Sequence, residues 1–178
     1  LAAAVLFSAG SLWARSSYEA TRLDIDLSDQ LLRCFEGPKL VKSYVISSSR
    51  FGIGNRSGSY KTPLGRHRIA SKIGSGMPIG AAFKNGVSTG QIVPINLTSV
   101  PTPGDFLTTR VMWLKGLEPG KNKGRGIDSF RRGIAIHGTP DEGLLGRPAS
   151  HGCIRMKNTD VVELFDRVRV GTSVDIHV

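Results

Sequence analysis

Apolar and polar residues alternate where this chain first shows a regular pattern. Leu23, Ile25 and Leu27 are interleaved with Arg22, Asp24 and Asp26, and this period of two predicts a half-buried strand. Ser28-Asp29 reads as a turn, and Leu31 to Phe35 and Leu40 to Ile46 read as two more strands. Between these two, Glu36-Gly37-Pro38-Lys39 has turn chemistry, with proline presetting φ and glycine accepting positive φ. The pattern predicts an opening β-meander. Short strands are also predicted at Val111 to Leu114, at Ile134 to Ile136 ending directly at His137, and at Ser173 to Val178. One stretch changes period: Val161, Val162, Leu164, Phe165 and Val168 recur at helical spacing. Asn158 is placed to cap this helix, Asp160 falls in its first turn, and Gly171 is placed to stop it, which predicts a helix over about 159–169. The fold class expected is mainly β, a mixed β-sandwich or barrel-like domain with one helix in the C-terminal region.

The segments between these elements are rich in Gly, Ser and Pro. Residues 47–65 form a loop ending in Thr62-Pro63-Leu64-Gly65. Gly52-Ile53-Gly54 does not make a nucleotide loop, because the next glycine falls at 58 and no Gly-Lys-Ser/Thr end follows. Loops 74–90 and 116–132 are long for a compact domain, and such loops usually cover or line a site. A chain of 178 residues corresponds to one domain, here 21–178, preceded by an extension over 1–20. Leu1 to Ala14 is uncharged and apolar, too short to span a bilayer and suited to the apolar region of an export signal; a buried N-terminal helix is the alternative.

Charge adds one expectation. The net charge is +10, and residues 33–72 hold nine basic side chains against one acid, Glu36. The basic residues are scattered among Gly, Ser and β-branched residues and do not form a helical face or aromatic string, so nucleic acid is not the expected partner. An acidic polymer is compatible with this charge.

The chemistry concentrates between His137 and Met156. His137-Gly138-Thr139-Pro140 is followed by Ser150-His151-Gly152-Cys153-Ile154-Arg155-Met156. A protonated thiol is a weak nucleophile, and a nearby histidine can act as its base or lower its pKa. Gly152 allows a sharp turn before Cys153 and leaves backbone N–H groups for an oxyanion. A zinc site built from His137, His151 and Cys153 is the competing reading, but it lacks a fourth ligand and the usual spaced pairs. With only Cys34 and Cys153 present, a disulfide framework is absent, while a Cys34–Cys153 bond stays open at this level.

The run Ser150-His151-Gly152-Cys153-Ile154-Arg155-Met156 with Asn158, preceded by His137-Gly138 and by Thr62-Pro63-Leu64-Gly65, resembles the L,D-transpeptidases of the YkuD type over about residues 21–178. The resemblance implies a mostly β catalytic domain. It also implies that Cys153 is the nucleophile and His137 its base, with the ring oriented by a backbone carbonyl near Gly138. Ser150, His151 and Gly152 would shape the pocket, and the amides at Gly152 and Cys153 would hold the oxyanion. Arg155 would support the loop or meet a substrate carboxylate.

The implied reaction begins with a peptidoglycan tetrapeptide stem. The thiolate attacks the carbonyl on the L-centre of the third residue, releases D-alanine and leaves a thioester. A neighbouring stem amine, a lysine of an envelope lipoprotein, or water then accepts the acyl group. The resemblance thus implies an exported monomer of the periplasm or cell envelope, with no stable membrane span, no metal and no cofactor, that is open to acylation by carbapenem-type inhibitors. A non-catalytic wall-binding module, suggested by the basic loops, is the remaining alternative.

Overall fold

The computed structural model describes residues 20–178; the export-signal reading of residues 1–14 lies outside them. Among the described residues there are ten strands: β1 (Arg22–Asp26), β2 (Leu31–Glu36), β3 (Lys39–Ser47), β4 (Gly65–Ile73), β5 (Ala81–Lys84), β6 (Val87–Ile92), β7 (Leu107–Gly116), β8 (Ala135–Gly138), β9 (Ile154–Met156) and β10 (Ser173–His177). The α-helix among these residues, α1, is Asn158–Arg167, and a short 3₁₀ turn covers Glu142–Leu144. The mainly β expectation with one helix holds.

The opening meander forms as its pattern predicts. Strands β1, β2 and β3 pair antiparallel in sequence order, and Gly37 takes φ +54 in the two-residue connection between β2 and β3. Non-local pairing then closes the sheet. β10 returns parallel to β1, pairing Leu23 with Val174 and Ile25 with Ile176, and its other edge takes β4. β3 continues through β9 and β8 to β7, and β7 pairs with β4. Eight strands therefore form a closed ring, which removes exposed edges from this part of the sheet. The β5–β6 hairpin is attached to the N-terminal end of β7.

Alternating side chains fill the ring. Leu23, Ile25, Leu32, Ile46, Ile69, Met112, Leu114, Ile136, Ile154, Met156, Val174 and Ile176 form a single buried cluster with Val161, Leu164 and Phe165 of α1. A ten-residue helix is marginal by itself in water, so burial of this face, at about 2 kcal/mol per large side chain, holds α1 in place. Cys34 lies in this cluster with no exposed surface, and both cysteines are free thiols.

Two predicted helix signals act differently. Asn158 does not cap α1: it is the first residue of the helix, and the N-cap, Lys157, makes no side-chain cap bond. The Asn158 amide is instead turned into the protein, where it bonds buried groups described below. Gly171 does not stop the helix either. α1 ends at Arg167 because Val168 turns extended, φ −114 and ψ 152, to place its side chain in the core. Gly171, at φ +98, serves the later turn into β10.

Candidate active site

β8 and β9 run parallel, with Ile136 opposite Ile154, His137 opposite Arg155 and Gly138 opposite Met156. Ile136 and Ile154 point into the ring, so Ala135, His137, Cys153 and Arg155 fall on the other face by alternation. There Cys153 packs against a second apolar cluster containing Ala135, Val111, Phe83, Trp113 and Leu107. Cys34 faces the ring interior, so a Cys34–Cys153 bond is excluded. Strand spacing and rise, continued one residue beyond β9, put the Cα atoms of His137 and Cys153 about 8 Å apart on a diagonal.

His137 is buried, and its Nδ1 lies 2.7 Å from the carbonyl oxygen of Gly138. A carbonyl only accepts, so Nδ1 carries the proton and Nε2 keeps its lone pair. Desolvation, opposed by the charge of Asp105 and the Gly138 bond, lowers the His137 pKa to about 4, so the ring is neutral at pH 7. Gly138 is fixed by space: a Cβ there would lie 2.5 Å from Asn158 Oδ1 and 2.7 Å from the Thr108 carbonyl.

Cys153 is half-buried, and its thiol donates to the Gly133 carbonyl at 3.3 Å. Desolvation raises its pKa to about 11, and Asp105 adds to the rise, although the Ala135 N–H and the charges of Arg155 and Arg132 act against it. The sequence pattern suggested a histidine that lowers the thiol pKa; in this structure both groups rest neutral, because burial outweighs the local positive field.

The turn before Cys153 is held by its own residues and by the Thr62 motif. Ser150 Oγ donates to the Cys153 carbonyl at 2.6 Å and accepts the Gly152 N–H at 3.2 Å. The Gly152 amide is therefore not free, as the sequence suggested, because the serine hydroxyl sits inside the turn. Gly152 takes φ +122, a conformation suited to glycine. Thr62 is fully buried; its Oγ1 donates to the Gly152 carbonyl at 3.0 Å and accepts the Ser49 N–H at 3.1 Å. The Ser150 N–H bonds the Ser48 carbonyl, and the Arg50 N–H bonds the Ser150 carbonyl, which ties the turn to residues 48–50.

His151 and Arg155 meet on Asp105. Arg155 Nη2 lies 2.6 Å from Asp105 Oδ1, and its Nη1 lies 3.7 Å from Asp141 Oδ2. With only 4% of its side chain exposed, Arg155 is committed to these carboxylates, which favours loop support over substrate contact. His151 Nδ1 approaches Asp105 Oδ2 at 3.1 Å but is poorly aligned for a hydrogen bond, while its Nε2 accepts from Arg50 Nη2 at 2.7 Å. Burial raises the Asp105 pKa, but the charges of Arg155, His137 and His151 and the Arg155 bond together hold it below the usual carboxylate value. His151 Nε2 is taken up by Arg50, which does not suit the zinc reading, and no cluster of three metal-ligating side chains occurs among the described residues.

Asp105, Arg50, Thr62 and Asn158 complete the site in roles the sequence did not reveal. Asp105 belongs to the loop between β6 and β7, so residues 93–106 contact the candidate site, whereas the expected cover was 74–90 and 116–132. Residues 81–90 of the first expected loop belong to the β5–β6 hairpin. The second joins the site through Arg132, which donates to the carbonyls of Lys61 and Gly54, and the next residue, Gly133, accepts from the Cys153 thiol. Asn158 Oδ1 accepts from Thr108 and Thr109, and its Nδ2 donates to the Thr139 carbonyl and Glu142 Oε1. Thr109 sits at φ +66 where the β7–β8 register shifts, so Asn158 supports the bulge beside His137.

Among the described residues no helix is long and apolar enough to cross a membrane. A family model of the L,D-transpeptidase catalytic domain, YkuD, matches residues 20–176. The putative L,D-transpeptidase YkuD of Bacillus subtilis is 50% identical over 42 residues, 24% of this chain and 26% of that protein. The probable L,D-transpeptidase YbiS of Escherichia coli K12 is 50% identical over 40 residues, 22% of this chain and 13% of that protein. Among solved structures, an L,D-transpeptidase from Xylanimonas cellulosilytica aligns over 92% of this chain and 62% of its own, with TM-score 0.54 and 22% identity. L,D-transpeptidase 3 from Mycobacterium tuberculosis, in complex with a faropenem-derived adduct, aligns over 89% and 60% with TM-score 0.55 and 19% identity. The chain thus spans less than two thirds of each of these relatives, and the structural likeness supports the fold. The match over nearly all the described residues, together with this fold, makes the chain a member of the YkuD family of L,D-transpeptidase catalytic domains.

Proposed function

We propose that this protein is a cysteine acyltransferase acting on peptidoglycan stem peptides, with Cys153 as nucleophile and His137 as general base. The observation that carries the reading is the His137 tautomer: Nδ1 is held by the Gly138 carbonyl, leaving a basic Nε2 on the sheet face that also bears Cys153.

The resting pair is neutral, so attack and proton transfer are coupled. Sγ bonds to the carbonyl carbon on the L-centre of the third stem residue while its proton passes to Nε2. The carbonyl π electrons move to oxygen, where backbone amides of the turn, at Cys153 and at Gly152 as it leaves Ser150 Oγ, meet the negative charge. Collapse of this intermediate breaks the bond to terminal D-alanine, whose amine takes the proton from Nε2. A thioester on Cys153 remains. An acceptor amine then attacks the thioester, Nε2 takes its proton, and the sulfur leaves and is reprotonated. Arg155, Asp105, Thr62 and Ser150 position the turn throughout.

The acceptor is a stem amine, giving a 3→3 cross-link, with a lipoprotein lysine or water as the other outcomes. Because the substrate lies outside the cytoplasm, the protein acts as an exported monomer of the periplasm or cell envelope. Intact mass after mixing with a carbapenem tests the nucleophile: one adduct mapped to Cys153 and absent from Cys153→Ala is expected. An adduct or cross-linking activity retained by the alanine variant overturns the assignment. Incubation with tetrapeptide stems then separates acceptors, since dimer marks transpeptidation and tripeptide alone marks hydrolysis.

A further inference from the structure

The basic loop between β7 and β8 reaches the thiol through Gly133 but carries other cations away from it. Between Lys123 and Arg131 this loop surrounds a hollow of about 390 Å³, lined by Lys123, Gly124, Arg125, Asp128 and Arg131. The three cations are exposed and make no ion pair among the described residues, unlike nearby Lys121, which lies 3.6 Å from Glu118. The sole acid on the wall, Asp128, uses Oδ1 to accept the Arg131 N–H at 3.0 Å. Three like charges around one hollow repel each other, and an anion between them relieves that repulsion.

The hollow is built on a fixed frame. Buried Asn122 donates to the Leu64 and Arg66 carbonyls at 3.0 and 3.1 Å and accepts the Glu118 N–H at 2.9 Å. Its own carbonyl accepts the Ser129 N–H at 3.0 Å, and the Ser129 hydroxyl meets buried His67 Nε2 at 2.9 Å. The Ser57 N–H bonds the Gly126 carbonyl at 2.7 Å, which brings the turn bearing Arg56 beside the loop. The backbone that carries the three cations is thus held before a ligand arrives, which lowers the entropic cost of binding.

We infer that this hollow is a binding site for a phosphate-bearing polyanion. Two guanidinium forks and an ammonium match phosphate oxygens. The volume falls within the range of roughly 300–1,000 Å³ typical of sites for organic ligands, so a phosphate-bearing unit of a polymer fits better than a lone ion. The concave shape argues against a membrane surface, which is met by a flat amphipathic face. The loop continues into Arg132 and Gly133, and the Gly133 carbonyl holds the Cys153 thiol. A polymer held here would lie along the segment leading to the nucleophile. This purpose rests on the proposed transpeptidase function; the binding itself does not.

The test uses the full chain with inorganic polyphosphate as probe. The variant Lys123→Gln/Arg125→Gln/Arg131→Gln is compared with Arg68→Gln/Lys84→Gln/Lys157→Gln, which removes the same charge from exposed positions elsewhere. Binding should weaken by about tenfold or more in the first and by under about threefold in the second, with carbapenem acylation of Cys153 unchanged in both. Equal losses in the two variants, or no loss in the first, overturn the site. Equal affinity for charge-matched polyglutamate overturns the phosphate preference, and binding to phosphatidylglycerol vesicles without competition by polyphosphate assigns the loop to a membrane instead. Loss of acylation in the unmodified chain with polyphosphate binding intact would remove the transpeptidase reading and leave this site standing.

Discussion

The neutral resting state of the Cys153–His137 pair has a measurable consequence when pH is varied without substrate. With the thiol at about 11, roughly one molecule in 10⁴ carries a thiolate at pH 7, about a hundredfold fewer than for a thiol at 9.0. Iodoacetamide reacts with the thiolate, so the alkylation rate of Cys153, followed by peptide mass between pH 5 and 10, should rise about tenfold per pH unit with no plateau. Acylation by a carbapenem should behave differently. In the proposed mechanism His137 supplies the base; its folded pKa is about 4 and Nε2 is available above that value, so the rate should be nearly flat from pH 5 to 9 and fall below about pH 4. His137→Ala should lower acylation by about 10²-fold or more while preserving the slope of the alkylation profile. An alkylation plateau from pH 5 to 8, at a rate equal to or above that of free cysteine, would refute the reasoning: it would mean a preformed thiolate–imidazolium pair, with the Gly133 contact broken.

Two further outcomes concern stability. Asn158→Ala removes four side-chain hydrogen bonds, three of them buried and two from the threonines of the β7 bulge, and should cost about 2–4 kcal/mol in urea unfolding; a loss below about 0.5 kcal/mol would show that the network is dispensable. Acid should also weaken the fold. Desolvation makes His137 bind its proton more weakly when folded, at about 4, than when unfolded, at 6.5, so stability present above pH 6.5 is lost as pH falls through 4, by about 3 kcal/mol. His67, lowered chiefly by desolvation, acts in the same direction, whereas His177, where the Asp24 bond and charge overcome desolvation, opposes it. Denaturant titrations of the unmodified chain and His137→Gln should give the variant a shallower dependence on pH; parallel curves would rule out this linkage.

Local chemistry was legible wherever a residue's role depends on its immediate neighbours. The alternation in 22–27 reports one buried face, and Gly37 marks the turn between β2 and β3, because both effects operate within a few residues. The carbonyl that orients the His137 ring was implied by the family resemblance, and in the structure it belongs to the next residue. Asn158 shows where local reading fails. An asparagine before a helical pattern is a sound cap, yet the same amide satisfies two threonine hydroxyls about fifty residues earlier, and that demand exists only after β7 and β8 pair. Asp105 was illegible because it lies in a Gly- and Pro-punctuated loop without periodicity and acquires its partners, His151 and Arg155, through folding.

The sequence by itself determined the strand faces, the helix stripe and the candidate reactive pair, because alternation, helical spacing and the run around Cys153 are written in consecutive residues. Tertiary structure alone decided the closure of the ring through β1–β10 and β4–β7, the clamp of Thr62 on Gly152, and the neutral state of both reactive groups. Pairing partners and desolvation depend on what the rest of the chain brings alongside, and linear spacing carries neither.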